Sequence, residues 1–127
     1  MSALTQADWN YSPSACKWTR KQVLGHLIDS AANNHQRFIR AQYEDVPHIS
    51  YDQNRWNALH RYHELDSTQL IEFWTLYNHH LLHVIKAIPA DTLQRTCDTG
   101  SGQAYTLDFL VDDYVSHMEH HLRQIIL

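Results

Sequence analysis

The chain of 127 residues, 43% of them hydrophobic, is long enough to bury a core as one domain, which we expect to span residues 1–127. Its 14 acidic and 10 basic side chains give a formal charge of −4, and without a basic run no nucleic-acid partner is expected. The sequence contains neither an apolar stretch of membrane-spanning length nor a leader after Met1, so we expect no membrane partner and a cytoplasmic location.

Turn-forming residues are scarce, since the chain has only three glycines and three prolines. This favours long helices over many short strands. The two cysteines, Cys16 and Cys97, form no CxxC motif and imply no disulfide framework. Cys97 could be a reactive thiol or simply a small buried residue. The unusual count is eleven histidines, and the question is which of them could act together.

The first long helix is predicted from the segment WTRKQVLGHLIDSAANNHQRFIRAQ. Thr19 followed by Gln22 fits a capping box, and Trp18 with Val23 fits the hydrophobic staple that often precedes a helix. Apolar residues then recur at helical spacing and define an inward face. These residues are Val23, Leu27, Ala31 and Phe38.

A loop is predicted for residues 45–51 and a shorter helix for residues 53–63. The next helix is capped by Asp66 or Ser67 and ends before Pro89. Its apolar stripe indicates the face that meets the core. The stripe consists of Leu70, Trp74, Tyr77, Leu81, Val84 and Ile88.

The segment TCDTGSGQAY, with two of the three glycines, is predicted as a loop, and a last helix is expected from about Thr106 onward. Four helices, one of them short, joined by loops of moderate length are typical of a four-helix bundle. The sequence therefore predicts an all-α fold of this type.

Three histidines lie close together in the last helix, in SHMEHHLRQI. On a helical wheel His121 lies at the edge of the apolar stripe, with His117 about 40° beside it, whereas His120 lies roughly 100° from His121 on the polar side. Residues at i and i+4 are neighbours on a helix, so His117 and His121 could converge on one metal ion. A helix merely decorated with histidines is the alternative. The apolar stripe itself is formed by Leu107, Leu110, Tyr114, Met118 and Ile125.

A metal site needs at least a third protein ligand, and a catalytic site keeps a further position open. The best candidate is His26 in LGHLIDS, at the border of the apolar face, where a neighbouring helix could meet it. Gly25 beside it would permit close approach. The alternative is a partly buried histidine bonded to a carbonyl group, and the wheel alone does not decide between the two.

A rival pair with i, i+4 spacing, His79 and His83, occurs in YNHHLLHVI. It lies mainly off the apolar stripe, together with His80, and is more typical of a solvated face. The remaining histidines occupy polar or loop contexts and are expected to have no role in chemistry. They are His35, His48, His60 and His63.

Several longer segments, taken in order, resemble the DinB-like superfamily of YfiT-type four-helix bundles. The segments are KWTRKQVLGHLIDSA, YDQNRW, FWTLYNHHLLHVI and YTLDFLVDDYVSHMEHHLRQI, and the resemblance runs from Trp18 to Ile126. It implies a DinB/YfiT-like bundle whose metal ligands are His26, His117 and His121. All three histidines are present.

The resemblance also implies a function. Its characterised members transfer a low-molecular-weight thiol to an electrophile, which would make a small thiol and an electrophilic molecule the partners of this chain. A metal-dependent hydrolase and a non-catalytic metal-binding module are the alternatives. Three imidazoles with an open position favour zinc as the divalent cofactor, with nickel, manganese or iron also compatible. A homodimer is the oligomeric state that the resemblance implies.

Other residues could assist the site. Asp29 and Asp113 lie one turn from a candidate ligand and could accept its free N–H, although either could be an ordinary exposed acid. Tyr114 shares the inward face and could donate a hydrogen bond to a substrate, or it could belong to the core. Arg55 could bind a carboxylate of the thiol, or it could be an exposed partner of Asp52.

Overall fold

Helices make up most of the protein in the computed structural model, which describes residues 3–126. The predicted all-α class and the four-helix bundle are confirmed, and within the described range no helix is both long and apolar enough to cross a membrane. Single 3₁₀ turns lie at Tyr62–Glu64 and Ala90–Thr92. In chain order the elements are α1 (Gln6–Trp9), α2 (Arg20–Arg40), α3 (Gln53–His60), α4 (Ser67–Lys86), β1 (Thr96–Asp98), β2 (Ala104–Thr106) and α5 (Leu107–Ile126).

Helix α2 is the centre of the bundle, because α3, α4 and α5 all pack against it. It begins at the predicted capping box, in which the Thr19 hydroxyl accepts from the Gln22 N–H at 3.1 Å and the Gln22 side chain accepts from the Thr19 N–H at 2.9 Å. These bonds satisfy two donors that a helix start leaves unpaired. The predicted inward residues Val23, Leu27, Ala31 and Phe38 are all buried.

The ends of α4 and α5 also follow the sequence. Asp66 caps α4 by accepting from the Thr68 N–H at 3.3 Å, and the helix ends at Lys86, before Pro89. Helix α5 starts at Leu107, one residue after the predicted position. The predicted stripe residues of both helices are buried or half-buried, Leu81 on α4 and Leu110 on α5 among the buried ones.

The apolar side chains form two clusters along α2. The first includes Phe38 and Leu81, and the second includes Leu27 and Ile125. Met118 packs against both clusters and directly follows the candidate ligand His117. The C-terminal half of α5 therefore spans the junction between the two parts of the core.

A β-hairpin replaces the loop that was predicted for TCDTGSGQAY. Strands β1 and β2 pair antiparallel, with Cys97 opposite Tyr105. The turn is closed by Asp98, whose Oδ1 accepts from the N–H groups of Gly100 at 2.8 Å and Gly102 at 3.2 Å, and both glycines have positive φ. Strands of three residues are too short to show an alternating pattern, which explains the wrong prediction. Cys97 is fully buried, which matches the interpretation of this cysteine as a small buried residue.

Two further segments differ from the predictions. The short helix α1, capped by Thr5, was not predicted, and it places Trp9 in the core. The helix predicted for residues 53–63 ends at His60, because Arg61 has a left-handed backbone with φ 54° that stops the helical hydrogen bonding.

Gly25 allows the chain after α3 to lie directly on α2. A Cβ at Gly25 would lie only 2.1 Å from Cδ2 of Tyr62. The hydroxyl of Tyr62 donates to Oδ1 of Asp29 at 2.6 Å, which holds the ring in this position. The close approach expected at Gly25 is therefore made by an aromatic ring rather than by a neighbouring helix.

Candidate metal centre

The three predicted ligands, His26, His117 and His121, meet at one point between α2 and α5. Nε2 of His117 lies 3.2 Å from Nε2 of His26 and 3.1 Å from Nε2 of His121, and one nitrogen from each ring lies within 4.8 Å of the others. Nitrogen ligands of a tetrahedral zinc ion, at about 2.0–2.1 Å from the metal, lie roughly 3.3 Å apart. The spacing of the donor atoms therefore fits a single metal ion.

The positions of the protons on the imidazole rings also fit the binding of a cation. Nδ1 of His121 lies 2.8 Å from Oε1 of Gln124, and because a carbonyl oxygen only accepts, Nδ1 carries the proton. Nε2 of His121 therefore offers its lone pair to the cluster. Nε2 of His117 is close to Nε2 of both His26 and His121. Without a metal, a single N–H on Nε2 of His117 can donate a good hydrogen bond to only one of these two nitrogens. A cation, in contrast, accepts a lone pair from all three rings.

The cluster is buried on its α2 side, and this environment favours the neutral form of His26 and His117. His26 is 1% exposed, and His117 and His121 are half-buried. Burial, followed by repulsion from His117 and His121, lowers the pKa of His26 to about 4. Burial also lowers the pKa of His117, helped by His121 and opposed by the negative charge of Asp113. Neutral imidazole is the form that binds metal, so this environment favours loading at neutral pH.

A cavity of about 550 Å³ opens beside the cluster, and His121 is the ligand that lines it. Trp18 forms part of the cavity wall and packs on the ring of His26, with ring centroids 5.0 Å apart. Gln53 and Asn54, at the start of α3, form another part of the wall. The cavity therefore reaches the cluster at His121, whereas His26 and His117 do not line it.

A buried polar network lies one turn further along α2. Oδ1 of Asp29 accepts from the hydroxyl of Tyr62 at 2.6 Å and lies 2.8 Å from Nδ1 of His60. Burial raises the pKa of Asp29, while these hydrogen bonds act in the opposite direction. Sequence reasoning gave His60 no role. It missed the contact between His60 and Asp29 because these residues are 31 positions apart in the chain.

The role expected for the two carboxylates is not seen directly. Among the hydrogen bonds of the described residues, none joins Asp29 to His26 or Asp113 to His117. Nδ1 of His26 and Oδ2 of Asp29 are both buried without a hydrogen-bond partner within residues 3–126. When Nε2 of His26 binds a metal, its proton must lie on Nδ1, so Asp29 is the acidic side chain on α2 that could accept it.

Tyr114 and Arg55, the two candidate catalytic residues, lie outside the cavity wall. Tyr114 is buried in the core, and its hydroxyl donates to Oδ1 of Asn78 at 2.6 Å. Arg55 is exposed, and its Nε lies 3.4 Å from Oδ2 of Asp52. These placements match the structural alternatives for both residues, and their catalytic role stays a prediction.

Other histidines stay apart from the centre. His79, His80 and His83 are exposed, and the ring of His80 packs against that of His35 at 5.4 Å. Within residues 3–126, only the cluster of His26, His117 and His121 groups three metal-ligating side chains this closely. Sequence reasoning missed Gln124 as a partner of His121, although its i+3 spacing from His121 was the available signal.

Sequence comparison identifies the class of protein to which this fold and site belong. A family model of the DinB superfamily matches residues 1–125. The chain therefore belongs to the DinB superfamily, as the sequence resemblance indicated.

Two individual relatives carry further information. The chain is 28% identical over 109 residues to "Putative metal-dependent hydrolase BH0277" of Halalkalibacterium halodurans, which covers 85% of this chain and 63% of that protein. The chain thus spans somewhat less than two thirds of this relative's length. Among solved structures it matches YfiT from Bacillus subtilis, described as a probable metal-dependent hydrolase with an unusual four-helix bundle topology. That match has a TM-score of 0.89 at 23% identity and covers 98% of this chain and 73% of YfiT, which shows a common fold.

Proposed function

We propose that this protein is a divalent-metal-dependent enzyme that transfers a small thiol to an electrophilic molecule. The observation that carries the proposal is the convergence of three imidazole Nε2 atoms, from His26, His117 and His121, beside an accessible cavity. Zinc is the first choice of metal, because three histidines and an open position are typical of catalytic zinc sites. Nickel, manganese and iron remain alternatives that suit the same ligands.

A divalent cation bound here would supply Lewis acidity, which lowers the pKa of a thiol or a water molecule. Free thiols have a pKa near 8.5 and are mostly protonated at neutral pH, so this effect would produce the nucleophilic form. In the transfer, a bond forms between sulfur and the electrophilic carbon, and the leaving group departs with its bonding electrons. The proton of the thiol passes to solvent.

The protein's own residues would hold and orient this chemistry. Gln124 keeps the proton of His121 on Nδ1, so that Nε2 faces the cluster. Trp18 covers one face of His26 and excludes water from that side of the ring. Together these contacts fix two of the three ligand rings before a metal arrives, which lowers the entropic cost of binding.

Hydrolysis is the second candidate, and the names of BH0277 and YfiT favour it. Hydrolysis commonly uses a general base for the attacking water and an acid for the leaving group. Among the described residues that line the cavity, none is an aspartate or glutamate. Asp29 lies outside the cavity wall and accepts a hydrogen bond from the hydroxyl of Tyr62. Thiol transfer depends less on a general acid and a general base, and for this reason we favour it over hydrolysis.

The test is an activity assay on metal-loaded protein, with mercaptoethanol and an activated aryl chloride as probes. We expect metal-dependent formation of the thioether, which His121→Ala abolishes and His120→Ala retains, with helicity unchanged in both variants. His120 is a matched control because it is the exposed neighbour of His121. Metal-dependent ester cleavage without thiol would instead identify a hydrolase, and metal binding without either activity would indicate a non-catalytic module.

A further inference from the structure

The cavity beside His121 has a positive lining in a negatively charged protein. Its wall contains two cationic side chains, Lys17 and Arg20, and among the described residues that line it there is no carboxylate. The whole chain, in contrast, carries 14 acidic and 10 basic side chains. The cavity therefore differs in charge from the protein as a whole, and this difference would attract anions.

Within the part of the chain that the structure describes, these two cations form no ion pair with a carboxylate. Within residues 3–126, no carboxylate oxygen lies within 4.0 Å of the charged nitrogen atoms of Lys17 or Arg20, whereas Arg40, Arg55 and Arg61 each have such a partner. A cation that faces a cavity without a counter-ion can form an ion pair with a ligand at little cost, since no existing pair must be broken.

Arg20 is also held in a fixed position. Its Nε donates to the carbonyl oxygen of Ile125 at 2.9 Å, and its Nη1 donates to the carbonyl oxygen of Asp8 at 3.0 Å. The guanidinium carbon lies 5.1 Å from the centre of the Tyr11 ring. These contacts use neutral partners, so they orient the group without pairing its charge. Hydrogen bonds from Thr5 chiefly lower the pKa of Asp8, and the charge of Arg20 adds a smaller effect at longer range.

We propose that the cavity binds a small molecule with a carboxylate or phosphate group, which pairs with Lys17 and Arg20. In that position the rest of the molecule lies along Trp18, whose ring both lines the cavity and packs on His26. The proposed anion site and the metal ligand His121 thus share one cavity. The inference that the anionic molecule is a reactant rests on the proposed function, whereas the binding of the anion itself does not.

The test is made on metal-free protein at neutral pH. The probes are succinate, methyl phosphate and the uncharged analogue succinamide, and binding is followed through the indole N–H signal of Trp18 in NMR spectra. We expect one of the two anions to bind roughly tenfold more tightly than succinamide, with a preference that weakens as salt is added. Tighter binding of succinate assigns the site to carboxylates, and tighter binding of methyl phosphate assigns it to phosphates.

Lys17→Gln should remove most of this preference, and Lys17→Glu should reverse it. Lys17 is exposed, so both Lys17 variants should fold. A variant at the other cation, Arg20→Lys, keeps the positive charge but alters the geometry that the hydrogen bonds of Arg20 fix. Arg55→Gln is the matched control, because it removes a cation that lies outside the cavity wall and should retain the preference. Equal affinity for succinate, methyl phosphate and succinamide, or an unchanged preference in Lys17→Glu, would overturn the inference.

The same samples separate this inference from the proposed function when their metal binding is measured. Anion preference without metal binding would contradict the enzyme proposal and leave the anion site standing. Metal binding without anion preference would contradict the anion site and leave the enzyme proposal standing.

Discussion

Gln124 holds His121 in the tautomer that a metal ligand needs, through a 2.8 Å hydrogen bond from Nδ1–H of His121 to its Oε1. The two residues lie one turn apart on α5, so the arrangement requires only local helix geometry. A partner of this kind usually increases metal affinity by 10- to 100-fold, because it fixes both the tautomer and the orientation of the ring.

We therefore expect Gln124→Leu to weaken metal binding roughly tenfold while leaving the fold intact. Gln124→Glu should retain or increase the affinity, because a carboxylate is a stronger acceptor for the same N–H. The measurement is a competition titration against a chromophoric chelator. Unchanged affinity in Gln124→Leu would show that the hydrogen bond has no influence on the site.

Gly25→Ala should be strongly destabilising. The new Cβ would lie 2.1 Å from Cδ2 of Tyr62, and a ring held by Asp29 has little freedom to move away. We expect a loss of about 1–3 kcal/mol in the free energy of unfolding, as for overpacked cores. Urea denaturation measures it, and in the background of Tyr62→Ala the same substitution should cost little. An equal cost in both backgrounds would refute the steric explanation.

Two tyrosine-to-phenylalanine variants should differ in their cost. Tyr62 donates to the carboxylate of Asp29, and Tyr114 donates to the neutral amide of Asn78, each at 2.6 Å. Because hydrogen bonds to charged groups contribute more, we expect Tyr62→Phe to cost about 2 kcal/mol and Tyr114→Phe about 1 kcal/mol. Thermal and urea unfolding of the pair checks this order. Because the Tyr114 hydroxyl is occupied by Asn78, Tyr114→Phe should also leave metal affinity and turnover unchanged, whereas a large loss of turnover would support the catalytic role predicted from the sequence.

The stability of the metal-free protein should fall as the pH is lowered from about 6.5 to about 4. Burial lowers the pKa of His26 from its ordinary value of 6.5 to about 4, so between these values the unfolded chain binds a proton that the folded protein does not. The resulting loss is roughly 3 kcal/mol once the pH is below both values. Urea denaturation across this range is the measurement.

In His26→Asn this part of the pH dependence should disappear. His63→Asn is the matched control, because His63 lies on the surface, 60% exposed, and its replacement should leave the slope in place. A smaller slope should remain in His26→Asn, because burial also lowers the pKa of His117. An undiminished slope in His26→Asn would assign the effect to other groups.

Local patterns explain why much of the fold was predictable. The capping box of Thr19 and Gln22 and the spacing of Val23, Ala31 and Phe38 depend only on neighbours within α2, and the structure contains both. The pairing of His117 and His121 is equally local. The sequence placed His26 only at the edge of a face, because its meeting with His117, 91 residues away, depends on how α2 packs against α5.

What sequence reasoning missed depends on tertiary contacts. The partner of Tyr114 is Asn78 on α4, and no periodicity within α5 could identify it. The cavity wall includes Lys17 and Trp18, from an irregular segment that has no hydrophobic period to analyse. The homodimer implied by the resemblance stays a prediction, which the molecular mass in solution would decide.

The most direct test of the central claim is the metal content of protein prepared without a metal-binding tag and then offered zinc, nickel, manganese and iron in turn. Elemental analysis should find about one divalent ion per chain in the wild-type protein and none above background in His26→Asn, although that variant stays helical. No bound ion in the wild-type protein, or full binding retained in His26→Asn, would contradict the account.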